Sequence, residues 1–173
     1  AGMLGATHFV RHHAHADAFV AALNLDGANL WGETDDVGGV GAERSSLGLT
    51  LARAAARLGM HAVPERAPAQ GFYFRSDHFN FAKAGVPALY AKGGSDLLEG
   101  GAEAGKLVGE DYARRYHQPG DEVHEGWRFD GIAEDLQLLH AVGQELAAGD
   151  TWPNWYEGNP FKAARDTQRA AAE

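Results

Sequence analysis

The sequence predicts an α/β fold built on a mainly parallel sheet. Residues 18–25 are almost continuously apolar, as expected for a strand that is buried on both of its faces. Residues 43–58 and 129–146 instead repeat apolar side chains at the three- and four-residue spacing of amphipathic helices. With 173 residues, 45% of them hydrophobic, the chain is long enough to bury one core.

Charge and composition exclude several classes of partner and site. The chain has 15 Lys and Arg against 24 Asp and Glu, and no basic run, so neither nucleic acid nor an anionic membrane is an expected partner. No apolar run approaches the roughly 20 residues of a membrane span, and the N-terminus lacks the pattern of a signal peptide. Because cysteine is absent, any metal site must use His, Asp and Glu.

The first candidate ligand follows the first predicted strand. A helix-like segment at residues 7–11 precedes it, and the nearby His12, His13 and His15 are interpreted as a solvated polar segment, because consecutive residues do not converge on one ion. Asp26 then ends the strand, and ligands of open α/β sheets bind at the carboxyl ends of strands. Asp26 is therefore well placed to bind a metal, although a simple turn aspartate explains it equally well.

The middle of the chain is interpreted mostly as scaffold. Glycines at residues 38, 39 and 41 predict a loop that is too sparse to hold a phosphate. Residues 43–58 form a predicted helix with the apolar stripe Leu47, Leu51, Ala54, Ala55 and Leu58. A short strand at residues 61–63 and a loop at residues 64–70 follow.

A packed strand-helix-strand unit is predicted for residues 71–91, with Ser76 or Asp77 as the cap of its helix. Arg75, Asp77 and His78 then lie together at the N-terminus of that helix. Binding sites are often built at such edges, but ordinary packing accounts for these residues equally well.

The C-terminal third predicts a loop, a long helix and a tail. Residues 93–109 are glycine-rich and acidic and predict an exposed loop. The helix at residues 129–146 has the predicted stripe Ile132, Leu136, Leu139, Val142 and Leu146. We expect residues 1–150 to form the body and 151–173 a tail whose Trp152, Trp155 and Phe161 pack on it. An open platform for peptides or sugars is the alternative for these aromatics.

The most informative stretch is 114–122, in which His117 lies between Tyr116 and a proline-glycine turn. Neutral imidazole is a common zinc ligand, and a rigid turn lowers the entropy lost in holding the ring in place. A surface histidine beside a loop is the simpler alternative. The decision between them depends on the other motifs in the chain.

Three motifs occur in the order and with the spacing of the co-catalytic di-zinc exopeptidases. They are Asn24-Leu25-Asp26-Gly27, Arg75-Ser76-Asp77-His78-Phe79 with the following Ala84-Gly85-Val86-Pro87-Ala88-Leu89, and Tyr116-His117-Gln118-Pro119-Gly120-Asp121. In these motifs the chain resembles the C-terminal half of that family, which includes secreted bacterial aminopeptidases and is related to glutamate carboxypeptidase II and glutaminyl cyclase. The resemblance implies a three-layer α/β/α sandwich and a periplasmic or secreted protein.

The resemblance also implies a role for each motif residue. Asp26 matches a ligand of one zinc ion, and His117 matches a ligand of the other. Tyr116 occupies the position of a phenol that donates to the oxyanion of the tetrahedral intermediate. Asp77 and His78 match a motif that lines the site, as supports of the ligands or on the substrate side, and the role of Arg75 is open. The implied activity is release of N-terminal residues from peptide substrates by a zinc-activated water.

One departure from the family limits that expectation. The family also needs an upstream His-x-Asp and a Glu-Glu pair, which supply the remaining ligands and the general base, and residues 1–5 resemble the segment just after that pair. We therefore expect the chain to be inactive alone, to hold zinc weakly, and to depend on a missing N-terminal half. The alternatives are a glutaminyl cyclase-type enzyme, a carboxypeptidase in which Arg75 holds the substrate carboxylate, and a noncatalytic binding module.

Overall fold

The computed structural model describes residues 3–12 and 16–172. Its strands are β1 (Ala22–Asn24), β2 (Asp36–Val40), β3 (His61–Val63) and β4 (Ala88–Gly93), and its helices are α1 (Leu4–His12), α2 (Leu47–Arg57), α3 (His78–Lys83), α4 (Gly101–Arg115), α5 (Asp130–Ala148) and α6 (Lys162–Ala172). Within these residues, no helix is both long and apolar enough to cross a membrane. The interpretation of His13 and His15 concerns residues outside the described ranges.

The four strands form one sheet in the order β1-β4-β2-β3. The pairings of β1 with β4 and of β2 with β3 are parallel, and that of β2 with β4 is antiparallel. The predicted mainly parallel sheet is thereby confirmed. Because β1 and β4 run in the same direction, their carboxyl ends meet at one edge of the sheet, where Asn24 pairs with Tyr90. This edge positions the candidate site.

Helices and aromatic side chains cover both faces of the sheet, which gives the predicted three layers. Successive side chains of β4 point to opposite faces, so Leu89 and Ala91 pack towards α2 and α5, whereas Ala88 and Tyr90 pack on the other side. We call the first side the aliphatic face; its buried residues are Val37, Leu47, Leu51, Ala54, Ala55, Met60, Leu89, Ala91, Leu138 and Val142. We call the second the aromatic face; its buried residues are Val40, Tyr73, Ala82, Ala88, Tyr90 and Trp155.

The predicted apolar stripe is correct for α2 except at its end, where Leu58 is exposed. On α5, Val142 is buried, and Leu139 and Leu146 pack against the same core as predicted. Leu136 is instead 49% exposed, and the buried Leu138 was not part of the predicted stripe. The first turn of α5 makes a close approach to the chain around Gly32. A side chain at Gly131 would meet the Gly32 carbonyl oxygen at 2.4 Å, so the helix packs against the chain there on its glycine. The apolar period alone does not reveal such a close approach.

Two glycine-rich stretches that were predicted as loops are regular elements, so both predictions are wrong. Helix α4 occupies Gly101–Arg115, within which Gly105 passes so close to Ser95 that a Cβ would lie 1.8 Å from its carbonyl oxygen. Strand β2 contains Gly39, whose Cβ would lie 2.8 Å from a methyl group of Leu51. These glycines allow elements to pack closely. In a sequence, glycines with this role look the same as the glycines of a loop.

The tail contacts the body through one buried aromatic residue and one buried cation. Trp155 is 2% exposed, and its indole N–H donates to the Gly85 carbonyl oxygen at 2.9 Å. Arg165 of α6 is fully buried and donates to the carbonyl oxygens of Phe19 and Val20, which lead into β1. Trp152 and Phe161 are only partly buried. A boundary at residue 150 stays a prediction.

Candidate functional site

The Asp26 carboxylate is held just beyond the end of β1. Its Oδ2 accepts a hydrogen bond from the Ser76 hydroxyl at 2.5 Å, and Ser76 in turn accepts one from the Asn24 side chain at 2.8 Å. The Tyr90 hydroxyl donates to the backbone oxygen of Asp26 at 2.5 Å. The hydrogen bond from Ser76 fixes the direction of the Asp26 carboxylate. Because Asp26 is exposed, this carboxylate is also accessible to a ligand.

Three neighbouring rings, those of Tyr112, Tyr116 and His117, lie at the end of α4. Burial raises the pKa of Tyr112, and the negative charges of Tyr116 and Asp26 raise it further. The rings of Tyr112 and Tyr116 are 5.2 Å apart, and Tyr116 stacks on His117 with 3.9 Å between centroids. Tyr112 and Tyr116 are four residues apart at the end of α4, which places them on one side of the helix.

His117 adopts an unusual backbone conformation. Its φ of 58° lies in the left-handed region, where histidine is more frequent than most residues but still carries strain. The helix ends at Arg115 with Tyr116 as its C-cap, and the Asp121 N–H donates to the Gln118 carbonyl oxygen at 3.0 Å to close the predicted turn. Strain of this kind is concentrated at functional sites. The His117 ring is exposed beside the Tyr116 phenol.

His78 is a buried histidine held between two tyrosines. It is 1% exposed, and its ring centroid lies 4.9 Å from that of Tyr73 and 5.5 Å from that of Tyr90. Burial lowers the pKa of His78 to about 4, against the opposite effects of the Tyr73 backbone and of the Asp26 carboxylate, so the ring is neutral at pH 7. The Tyr73 backbone lies close enough to act on the ring, but neither ring nitrogen makes a hydrogen bond of normal geometry among the described residues.

Arg75 makes its contacts with Gln70 and Phe72, and Asp77 is exposed at the start of a helix. The Arg75 guanidinium donates to the Gln70 carbonyl oxygen and lies over the ring of Phe72 at 4.9 Å. Asp77 is exposed at the N-cap of α3, and its side chain makes no capping hydrogen bond. Ser76, between them, is the residue of this motif that contacts Asp26.

The donor atoms present fit zinc in type. An aspartate oxygen and a histidine nitrogen are both ordinary zinc ligands, and the Ser76 bond to Asp26 resembles the supporting contacts of metal sites. Their number is insufficient, since residues 3–12 and 16–172 contain no group of three or more His, Cys, Asp or Glu side chains that could hold a metal ion. This portion of the chain therefore does not form a complete zinc site.

A cavity of about 240 Å³ opens beside the candidate site. It shares Tyr90 and Tyr112 with the site, and its walls come largely from apolar and aromatic residues, among them Trp31, Val40, Pro64, Phe72 and Val108. Lys92, at the end of β4, also lines it. The cavity and the Asp26 carboxylate therefore occupy neighbouring positions at one edge of the sheet.

Sequence reasoning missed Ser76, Tyr90, Lys92 and Tyr112 as site residues. Ser76 was considered only as a helix cap, and Tyr112 lies in α4, a helix that was not predicted and whose first part, up to residue 109, was assigned to a loop. The signal that could have found Tyr90 and Lys92 is their position near the end of β4. That strand lies beside β1, so its end reaches the same edge as Asp26.

One of three comparisons with known proteins gives a match. No curated protein and no solved structure gives a significant match. The model of Peptidase family M28, a family of zinc-dependent metallopeptidases, matches residues 1–136, a range that includes Asp26, the segment around Ser76, and His117. This match covers well over half of the 173 residues. The chain therefore belongs to Peptidase family M28.

Proposed function

We propose that this chain forms part of the active site of an aminopeptidase that releases N-terminal residues from peptides with the aid of two zinc ions. The observation that carries the proposal is the Asp26 carboxylate, which Ser76 and Tyr90 hold at the carboxyl end of β1 in a chain of the M28 family. That edge is the usual ligand position of an open α/β sheet.

Asp26 and His117 are the proposed ligands, one for each ion. When bound, zinc lowers the pKa of a water molecule and polarises the scissile carbonyl group. The Ser76 hydroxyl directs the Asp26 carboxylate. The left-handed backbone at His117 sets its ring at the start of a turn instead of continuing α4. Both ligands are exposed, so each can take part in a site completed by other residues.

Tyr116 is the proposed donor to the oxyanion. Its phenol is partly exposed and stacked on the proposed ligand His117, so it lies beside the place where the substrate carbonyl would be activated. A hydrogen bond donated to the developing negative charge is strongest in the transition state, which is where it increases the rate.

The remaining predicted residues have supporting roles in this proposal. His78 is neutral and buried against Tyr90, so we place it behind Asp26 as a packing support and not as a proton donor. Asp77 is exposed at the N-terminus of α3 and remains a candidate on the substrate side. The Arg75 guanidinium is engaged with Gln70 and Phe72, which argues against the carboxypeptidase alternative that needs it.

The proposal requires further ligands and a general base from residues outside this chain. Asp26 and His117 alone cannot hold two ions, since the described residues provide no group of three metal-binding side chains. We propose an N-terminal segment of the same protein as the source, and a periplasmic or secreted location as in the relatives that the motifs resemble. A glutaminyl cyclase-type enzyme or a noncatalytic module remains the alternative.

Hydrolysis of leucyl-p-nitroanilide tests the proposal. The longest natural protein that contains this chain should show turnover that a chelator abolishes and zinc restores, whereas this chain alone should show none. Asp26→Ala and His117→Ala should each reduce kcat/KM by at least about 100-fold, because each removes a metal ligand. His124→Ala, which changes another exposed histidine, is the matched control and should retain full activity. Unchanged kcat/KM in the His117 variant would overturn the proposal.

A further inference from the structure

The cavity beside the site contains a cation that forms no ion pair within the described part of the chain. Lys92 lines the cavity and is partly buried, and its Nζ lies 5.1 Å from the centre of the Tyr112 ring, which forms another wall. None of the ion pairs among the described residues includes Lys92, and no side-chain hydrogen bond there uses its ammonium group. A partly buried cation without an ion pair loses hydration that the contact with the Tyr112 ring replaces only in part.

The other charged groups of the cavity do not neutralise this ammonium group. Arg66 also lines the cavity, but its guanidinium is paired with the buried Asp36. Glu65 lines it as well, but burial raises the pKa of Glu65, and the charged groups that act on this carboxyl are Glu43 and Arg44. The carboxylates that act on Lys92 are instead those of Asp26 and Asp135. No ion pair joins Lys92 to Glu65 among the described residues.

The surroundings of Lys92 favour an anionic ligand. Burial lowers the pKa of Lys92, while Asp26 and Asp135 counteract that shift. A carboxylate bound in the cavity would replace the water that the ammonium group loses on burial and would stabilise its charged form. The volume of about 240 Å³ lies below the roughly 300–1,000 Å³ of pockets for drug-sized ligands, which suits a group the size of one amino-acid residue.

The frame around the cavity is fixed by a buried carboxylate. Asp36 is 1% exposed and accepts hydrogen bonds from the backbone N–H groups of Ser95 at 2.9 Å and Asp96 at 2.8 Å. It also pairs with Arg66 across the cavity rim. The loop after β4 is thereby held on one side of the cavity, so the space next to Lys92 is preformed.

We propose that this cavity is a specificity pocket in which Lys92 binds a carboxylate of the peptide substrate. The apolar walls contact the methylene groups of the bound residue, and the ammonium group of Lys92 pairs with its carboxylate. This inference rests on the proposed peptidase function, because it assumes that the ligand is a peptide. The carboxylate comes either from the side chain of an N-terminal Glu or Asp, or from the free C-terminus of a short peptide.

Binding measured without metal separates this proposal from the peptidase proposal, because no hydrolysis is involved. Titration calorimetry compares glutamyl-α-amide with glutaminyl-α-amide, which differ only in the side-chain carboxylate, and Ala-Ala with Ala-Ala-amide, which differ only at the C-terminus. We expect at least about tenfold tighter binding of the charged member in one of these pairs, as for one charge-assisted contact. The pair that shows the preference identifies the source of the carboxylate.

Variants assign the preference to Lys92. Lys92→Met should remove it and Lys92→Arg should retain it, while Lys106→Met, which removes an exposed charge from α4 outside the cavity, should leave it unchanged. Circular dichroism of each variant checks that the fold is intact, and if Lys92→Met does not fold, Lys92→Gln replaces it. Equal binding within both pairs, no saturable binding up to about 10 mM, or a preference that persists without the lysine charge would overturn the proposal.

Discussion

The two faces of the sheet are both buried, yet they differ in chemistry. The aliphatic face consists of residues such as Leu47, Leu51 and Val142, which have no polar side-chain atoms. On the aromatic side, the Tyr73 hydroxyl and both His78 ring nitrogens are buried without hydrogen-bond partners among the described residues. Each such group costs about 1–3 kcal/mol, so folding alone does not favour this arrangement. The aromatic side borders Asp26, and we infer that its polar groups are retained for the site.

The largest expected effect comes from truncation on the aliphatic face. Leu51 is fully buried, so Leu51→Ala should lower the free energy of unfolding by about 2–5 kcal/mol through lost transfer energy and the cavity left behind. Leu49 lies on the same helix and is 56% exposed, so Leu49→Ala is the control, with a change of less than about 1 kcal/mol. Urea unfolding followed by circular dichroism measures both. A larger effect at Leu49 would show that α2 packs through another side.

Asp135 of α5 is a buried carboxyl group, and its burial can be tested through the pH dependence of stability. Burial raises the pKa of Asp135 from its ordinary value to about 7, with the neighbouring Glu134 carboxylate as the second cause. The folded state therefore keeps the proton while the unfolded state loses it near pH 4. The stability from this group is present below pH 4 and is lost as pH rises to 7.

Asp135→Asn should remove this loss. Relative to the variant, the wild type should lose about 2–4 kcal/mol of unfolding free energy between pH 4 and pH 7. Urea unfolding at several pH values measures the difference, and Asp150→Asn, at an exposed position, is the control that should keep the wild-type profile. Parallel profiles of wild type and Asp135→Asn would show that Asp135 titrates normally in the folded protein.

His78, on the aromatic side, should lose stability as the pH falls, whereas Asp135 loses it as the pH rises. Because its nitrogens have no partners, His78→Leu should leave the unfolding free energy at pH 7 unchanged or raise it, in contrast to Leu51→Ala. The pKa of His78 is lowered to about 4, so the unfolded state binds the proton first as pH falls below 6.5. This group should therefore cost the wild type up to about 3 kcal/mol of stability between pH 6.5 and pH 4.

The His78→Leu variant should lack that acid-dependent loss. His140→Leu, on the exposed side of α5, is the control and should retain it. Both profiles come from thermal or urea unfolding across the same pH range. A loss of several kcal/mol at pH 7 in His78→Leu would mean that the ring makes essential packing contacts, and the contrast between the two faces would weaken.

The sequence was informative where one local signal determines the structure. Apolar spacing predicted α2 because a helix that covers one face of a sheet repeats at that period. Glycine content was misleading at β2 and α4, where it was interpreted as a sign of loops. Gly39 and Gly105 instead allow close packing between elements that are distant in sequence. Motif order is the basis on which Asp26 and His117 are proposed as ligands. It could not identify Tyr90 or Lys92, because their positions relative to Asp26 depend on the pairing of β4 with β1.

The central claim is that Asp26 and His117 are ligands of two different zinc ions in one site. Metal analysis of the longest natural protein that contains this chain tests it most directly. We predict two tightly bound zinc ions per molecule, at most one in Asp26→Ala and in His117→Ala, and two in Tyr116→Phe, which removes only a hydroxyl group. This chain alone should bind no zinc tightly in calorimetric titration, since each ion would have one ligand. Two zinc ions retained in both ligand variants, or two tight sites in this chain alone, would contradict the account.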